Sequence, residues 1–236
     1  SERLACWFCH QQLFYMRKAK DNGPTYVGTI ANYLMEQIKV DPTVVAIIAG
    51  TPGGLGFNSE WRKEAGKQYI DVGIAEEHAI AMSSGIAKNG GKPVFNVYST
   101  FLQRTYDQLV QDLCVNNNSA VIMNHQASVY GMNDVTHLGF FDIPMLTSIP
   151  NLVYLAPTNN EELLAMTEYA VHQHEHPVAI RVPVGEFAST GVADTTDYSL
   201  LNKSEVTRRG ERIALLGLGN FYHLANQVAD ELAKVG

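Results

Sequence analysis

The sequence predicts an α/β fold, a three-layer sandwich around a mainly parallel sheet. Three observations carry that prediction. Short apolar runs such as Val44-Val45-Ala46-Ile47-Ile48-Ala49 end in glycine or polar residues, the pattern of strands buried on both faces. Between them lie stretches with apolar residues three and four apart. The two patterns alternate along most of the chain, which is the order of a parallel sheet covered by helices on both sides.

Val27, Ile30, Ala31, Leu34 and Ile38 recur at helical spacing and predict an amphipathic helix over 26–39. A strand follows over 44–49, a short helix over 60–65 and a strand over 68–72. Residues 76–89 read as a helix rich in small side chains (Ala79, Ala81, Ser83, Ser84, Gly85, Ala87), which suit close packing against another backbone. A strand is predicted over 93–97, a helix over 101–114 and a strand over 120–123. A long loop of Gly, Asn, Asp and His comes next. A strand over 152–156, a helix over 160–172 and a strand over 178–182 complete the alternation.

The ends differ from this body, residues 25–184. Residues 1–24 hold an aromatic stretch (Trp7, Phe8, Phe14, Tyr15) and a basic patch. They close on Asp21-Asn22-Gly23-Pro24, turn residues that mark a boundary. Residues 185–208 are polar and predict a linker. A strand over 212–218 and a helix over 221–235 follow. One strand and one helix cannot cover a sheet face, so 209–236 read as the truncated start of a further domain or a piece that docks elsewhere.

The 236 residues are 46% hydrophobic and 17% charged, ordinary for a globular protein. A net charge of −7 argues against a nucleic-acid binder, which asks for a basic face. No apolar run reaches the roughly 18 residues of a membrane span, and the first residues lack the order of a secretory signal. Three cysteines, an odd number, fit a reducing cytoplasm better than a disulfide framework.

Three segments stand at predicted strand ends, where α/β folds place ligands. In Asp71-Val72-Gly73-Ile74-Ala75-Glu76-Glu77-His78-Ala79 a strand ends, a glycine turns the chain and two carboxylates open a helix. Acidic residues favour the first helical turn for the dipole alone, so these residues taken singly are helix-end charges or ligand-binding groups. In Tyr98-Ser99-Thr100-Phe101-Leu102-Gln103-Arg104 a Ser/Thr cap explains Ser99 and Thr100 but not the gathering of Tyr98, Phe101 and Arg104. In Gly131-Met132-Asn133-Asp134-Val135-Thr136-His137-Leu138-Gly139 a histidine sits in a polar loop, solvated or functional.

Three other patterns are weaker. Cys6-Trp7-Phe8-Cys9-His10 has the spacing of a haem attachment or half a zinc site, but lacks a second Cys/His pair and reads as a local aromatic cluster. His172, His174 and His176 alternate and read as a solvated loop before a strand. Gly50-Thr51-Pro52-Gly53-Gly54-Leu55-Gly56 hints at a phosphate loop without matching the dinucleotide fingerprint. No metal site is assigned within this chain.

In order and spacing, DVGIAEEHA, VYSTFLQRTYDQ, VTHLGFFDIPML, IPNLVYLAPTNNEE and VAIRVP resemble the transketolase-like superfamily, most of all the 1-deoxy-D-xylulose-5-phosphate synthases. The resemblance covers about 25–236. It implies a pyrimidine-binding domain plus the start of a C-terminal domain, in a thiamine diphosphate-dependent transferase. The implied reaction joins a two-carbon unit from pyruvate to an aldehyde. A transketolase C-terminal subunit acting on sugar phosphates and a non-catalytic paralogue are the other readings.

By that resemblance Glu76 is the carboxyl group on the cofactor's aminopyrimidine. Hydrogen-bonded there, it favours the imino form whose nitrogen takes the proton from the reactive thiazolium carbon. Phe101 is the implied ring that stacks on the pyrimidine, and Arg104 lies near the cofactor. Tyr98, Asn133 and His137 are implied to face the substrate, His137 also as a proton shuttle. Arg181 is the implied ligand of the acceptor's phosphate, a task suited to its fork of donors.

The sequence also departs from the pattern. Asp-Arg-Ala-Gly reads His125-Gln126-Ala127-Ser128 here, and Gly-Ala-Asp-Gly reads Gly131-Met132-Asn133-Asp134. One phosphate contact is thereby lost and one carboxylate replaced or shifted. The Gly-Asp-Gly motif that holds Mg²⁺ and the diphosphate in this superfamily is absent from the 236 residues. The resemblance therefore implies association, as a homodimer or as a heteromer with a diphosphate-binding domain.

Overall fold

The computed structural model describes residues 24–129, 136–200 and 204–235. Among these the first element is helix α1 (Tyr26–Val40), capped by Thr25, whose Oγ1 accepts from the Gly28 amide at 3.0 Å. Strand β1 (Val44–Ile48) leads through a turn to helix α2 (Ser59–Ala65), capped by Asn58, and strand β2 (Tyr69–Asp71). Helix α3 (Glu76–Lys88) and strand β3 (Lys92–Tyr98) follow. Residues 99–114, termed α4, begin as α-helix (Ser99–Leu102), tighten over Gln103–Thr105, and widen to a π-helix over Leu109–Cys114. Then come β4 (Val121–His125), α5 (Asp142–Thr147), β5 (Val153–Leu155), α6 (Asn160–His172), β6 (Val178–Arg181) and α7 (Phe221–Val235).

The six strands form one sheet in the order β2-β1-β3-β4-β6-β5, and every pairing is parallel. The chain thus builds the expected three-layer α/β sandwich. Side chains alternate across the sheet. Val44, Ala46, Ile48, Val94, Val121, Met123, Val178 and Ile180 join α1, α2 and α6 in one core. Ile47, Phe95, Val97, Ile122 and Ala179 join α3 and α4 in the other. Phe95 is wholly buried, and a cavity of that size costs about 3–5 kcal/mol.

The alternation has a consequence for the polar residues at the strand ends. Tyr98 and His125 are register partners and fall on the α1/α6 face. Asn124 and Arg181 are partners one row back and fall on the α3/α4 face. Two buried polar clusters are therefore kept apart by the sheet itself.

The structure departs from the sequence reading in three places. Residues 213–218 join no strand ladder among the described residues; an apolar run becomes a strand only when a neighbour pairs its backbone groups. Helix α5 falls in a stretch to which the sequence assigned no helix; its Pro144 stands in the first turn, where its missing N–H costs nothing. The expected linker is tied down at its start. The Ala188 amide donates to Tyr26 Oη at 2.8 Å, Phe187 packs on the Tyr26 ring, and the Thr190 and Gly191 amides donate to Glu161. Cys6, Cys9 and His10 lie outside the described residues.

Candidate functional site

The site is built where β2, β3 and β4 end. Asp71, last residue of β2, accepts from the Gly50 and Gly73 amides at 3.0 and 2.9 Å. Gly73 then turns the chain at φ +69°, a conformation that favours glycine. Helix α3 opens three residues later with no side-chain cap on Ala75. Glu76 and Glu77 meet the positive end of the helix dipole.

The two carboxylates have different surroundings. Glu76 is 2% exposed, and its buried Oε2 has no hydrogen-bond donor among the described residues. Arg104 Nη1 is 3.4 Å from that oxygen, close enough for charge attraction but not aligned as a hydrogen bond. Arg104 Nε instead donates to Glu77 Oε1 at 3.0 Å, and Nη2 stands 2.9 Å from the same oxygen as an ion pair. The Glu77 carboxyl is held below the usual carboxylate range, first by its own backbone N–H and then by Arg104.

Above them the start of α4 gathers aromatic rings. Phe101 and His137 have ring centres 5.3 Å apart at 70°, and Tyr98 stands 5.9 Å from Phe101 and 6.3 Å from His137. Such edge-to-face contacts suit aromatic pairs. Thr100 Oγ1 donates to the Thr136 carbonyl at 3.2 Å, and Thr136 Oγ1 lies 2.8 Å from His137 Nδ1. Tyr98 is backed by the Gly50–Gly56 loop: a Cβ on Gly54 would fall 2.0 Å from the Tyr98 hydroxyl. That loop therefore forms a wall behind Tyr98.

His125, at the end of β4, is 1% exposed, with Nε2 3.2 Å from Asn96 Oδ1 and no donor or acceptor on Nδ1 among the described residues. Burial pushes its pKa down to about 3, so the imidazole is neutral. Arg181 is 5% exposed, with Nε on Asp142 Oδ2 at 2.8 Å.

The structure thus brings together Glu76, Arg104, Phe101, Tyr98 and His137 at the strand ends. It sets Arg181 in the buried cluster on the α3/α4 face. Asn133 lies outside the described residues. Sequence reasoning missed Glu77 as the holder of Arg104, Gly54 as the wall behind Tyr98, and Asp142 as the partner of Arg181. The first lies inside the Asp71–Ala79 segment; the other two depend on approaches across the fold that spacing does not encode. Among the described residues no group of three or more His, Cys, Asp or Glu could hold a metal ion, and no helix is long and apolar enough to cross a membrane.

The family "Transketolase, pyrimidine binding domain" matches residues 22–189. The chain belongs to this family. The chain is 39% identical over 213 residues to 1-deoxy-D-xylulose-5-phosphate synthase of Acidobacterium capsulatum, covering 90% of this chain and 34% of the relative. It is 40% identical over 217 residues to the synthase of the same name from Stenotrophomonas maltophilia, covering 91% and 34%. The chain spans about a third of the length of the curated relatives it matches. Among solved structures, a split-gene transketolase described as an inactive β4 tetramer superposes with a TM-score of 0.59 at 19% identity, covering 73% of this chain and 56% of that one. Transketolase from Leishmania mexicana superposes at 0.58 with 16% identity, covering 69% and 26%. At such identity these two neighbours speak for the fold, and the pyrimidine-binding family has the same parallel three-layer arrangement found here.

Proposed function

We propose that this chain is the pyrimidine-holding part of a thiamine diphosphate-dependent transferase of the 1-deoxy-D-xylulose-5-phosphate synthase kind. The proposed reaction condenses a two-carbon unit from pyruvate with an aldehyde. The observation that carries the reading is Glu76 Oε2, a buried carboxylate oxygen with no hydrogen-bond donor among the described residues, beside Arg104. A buried carboxylate left without a donor is costly, and a ring nitrogen that shares a proton with it removes that cost.

The residues fit the pyrimidine half of the cofactor. Glu76 would hold a proton at Oε2 against the ring, and Phe101 would offer its face to it. When bound, the cofactor supplies the carbon nucleophile of the reaction. His137, packed on both Phe101 and Tyr98, would move protons at the substrate, and Tyr98 would bound the substrate's space. The resemblance puts Asn133 and Arg181 at the substrate end as well.

The diphosphate and its Mg²⁺ would be held by a domain other than this one, since the motif that grips them is not in these residues. A homodimer or a heteromer supplying that domain completes the site, and a cytoplasmic setting fits the cysteine usage. The names of the sequence relatives favour a synthase over a transketolase acting on sugar phosphates.

The test is to combine the chain with a diphosphate-binding domain and follow thiamine diphosphate-dependent consumption of an aldehyde, with either pyruvate, which leaves carbon dioxide, or a ketose phosphate, which leaves an aldose phosphate, as donor. Turnover with pyruvate and little with a ketose phosphate is expected. Turnover with the ketose phosphate alone would replace the reading by the transketolase one, and none with either donor would overturn both.

A further inference from the structure

Asp142 Oδ2 collects three donors from three strands. Arg181 Nε of β6 reaches it at 2.8 Å, Asn124 Nδ2 of β4 at 3.2 Å, and the Tyr154 hydroxyl of β5 also bonds it. The Arg181 and Asp142 side chains are 5% and 0% exposed. The cluster lies on the α3/α4 face of the sheet, opposite Tyr98 and His125.

Asp142 opens α5 and follows His137 by five residues. The stretch between them is gripped at its other end too. A Cβ on Gly139 would fall 1.9 Å from the Gln126 carbonyl oxygen, and Thr100 Oγ1 donates to the Thr136 carbonyl. Residues 136–141 therefore run between a backbone pinch at the end of β4 and a three-strand clamp on Asp142.

We infer that the Asp142–Arg181 pair anchors the segment that carries His137, and that Arg181 is a positioning residue rather than the ligand of an acceptor phosphate. A buried guanidinium already matched by a buried carboxylate has its charge compensated. A phosphate drawn to it would have to approach Asp142 as well, against like charge. Nε donates a charge-assisted hydrogen bond to one carboxylate oxygen, and through Asp142 the guanidinium is joined to the His137 segment. The inference rests on the proposed role of His137.

The test compares wild type with Asp142→Asn, Arg181→Lys and the pair, using two readouts. The first is amide hydrogen exchange over 136–147 in the chain. Each single variant is expected to speed exchange of 136–141 by at least about tenfold, with the double variant no faster than the worse single, as for residues of one network. The second is turnover of the assembled enzyme with glyceraldehyde and with glyceraldehyde 3-phosphate. A fall in kcat by the same factor for both aldehydes is expected. A rise in KM confined to the phosphorylated aldehyde, or unchanged exchange over 136–141, would overturn the inference. Should the assembled wild type show no thiamine-dependent turnover, the proposed function fails while exchange still decides the anchor. Tyr154→Phe, which removes one donor and keeps both charges, repeats the exchange test where the charge variants fail to fold.

Discussion

Arg104 Nη1 lies 3.4 Å from Glu76 Oε2 without hydrogen-bond alignment, while Nε of the same guanidinium donates an aligned hydrogen bond to Glu77 Oε1 at 3.0 Å. Adjacent carboxylates thus divide two tasks. Glu77 is the tether that holds Arg104 over the site, and Glu76 keeps an oxygen for another donor.

That division gives unequal costs. Glu77→Gln keeps one acceptor for Arg104, on a pair that is 35% and 49% exposed, so stability should stay close to that of wild type. The Michaelis constant for the cofactor should rise less than about tenfold, the size of a loosened surface pair. Steady-state kinetics with cofactor titration, beside a thermal melt, checks both.

His125 should make the fold acid-sensitive. Burial lowers its pKa from 6.5 to about 3. The unfolded chain takes up the proton below about pH 6.5, and the folded chain resists until about pH 3, so stability falls as pH drops through that window. The slope approaches about 1.4 kcal/mol per pH unit inside it. Melting temperatures between about pH 7 and about pH 5 should decline more steeply for wild type than for His125→Gln, which keeps a donor for Asn96.

Much of this architecture was legible in the sequence because it rests on local rules. The run Val44-Val45-Ala46-Ile47-Ile48 is apolar throughout, as a strand covered on both faces must be, and it became β1. The helix over 160–172 carried its own Asn159 cap and matched α6. The helix expected over 101–114 was right in place but not in kind, since periodicity does not distinguish α from the tightened and widened turns found there. The strand expected over 212–218 had the composition of a strand but joins no ladder among the described residues. That Glu76, Phe101, Arg104, Tyr98 and His137 stand near strand ends was legible through motif order. Asp142 was not, because its three donors come from positions 18, 12 and 39 residues away.

Gly54 should be coupled to Tyr98. A Cβ there would sit 2.0 Å from the Tyr98 hydroxyl and 3.3 Å from the ring carbon that bears it. Gly54→Ala should destabilise by about 1–3 kcal/mol through this overlap. Tyr98→Phe removes the closer atom, so the double variant should recover at least about half of the loss, a coupling that melting of both singles and the double measures.

The opposite end of the strands, where β1 and β3 begin, offers an electrostatic control away from the site. Asp41 accepts from Thr43 and from Lys92 Nζ at 2.9 Å. These contacts, Thr43 foremost, hold its carboxyl down at about 2 against an ordinary 3.8. A lowered folded pKa means stability that is present above about pH 4 and lost as pH falls toward 2. Lys92 and Asp41 are 17% and 23% exposed, so Asp41→Asn should cost on the order of 1 kcal/mol at neutral pH and leave turnover unchanged. Melts at about pH 7 and about pH 3 check the sign, because the difference between variant and wild type should shrink in acid.

The most direct measurement concerns Glu76. Glu76→Gln keeps the volume and burial of the side chain but cannot accept and return a proton as a carboxyl group does. In the chain assembled with its diphosphate-binding domain, thiamine diphosphate-dependent kcat should fall by about 10²–10⁴-fold, the usual worth of a positioned proton carrier, while the melting temperature stays near that of wild type. Turnover within about twofold of wild type, far below that range, would contradict Glu76 as the group that shares a proton with the cofactor ring.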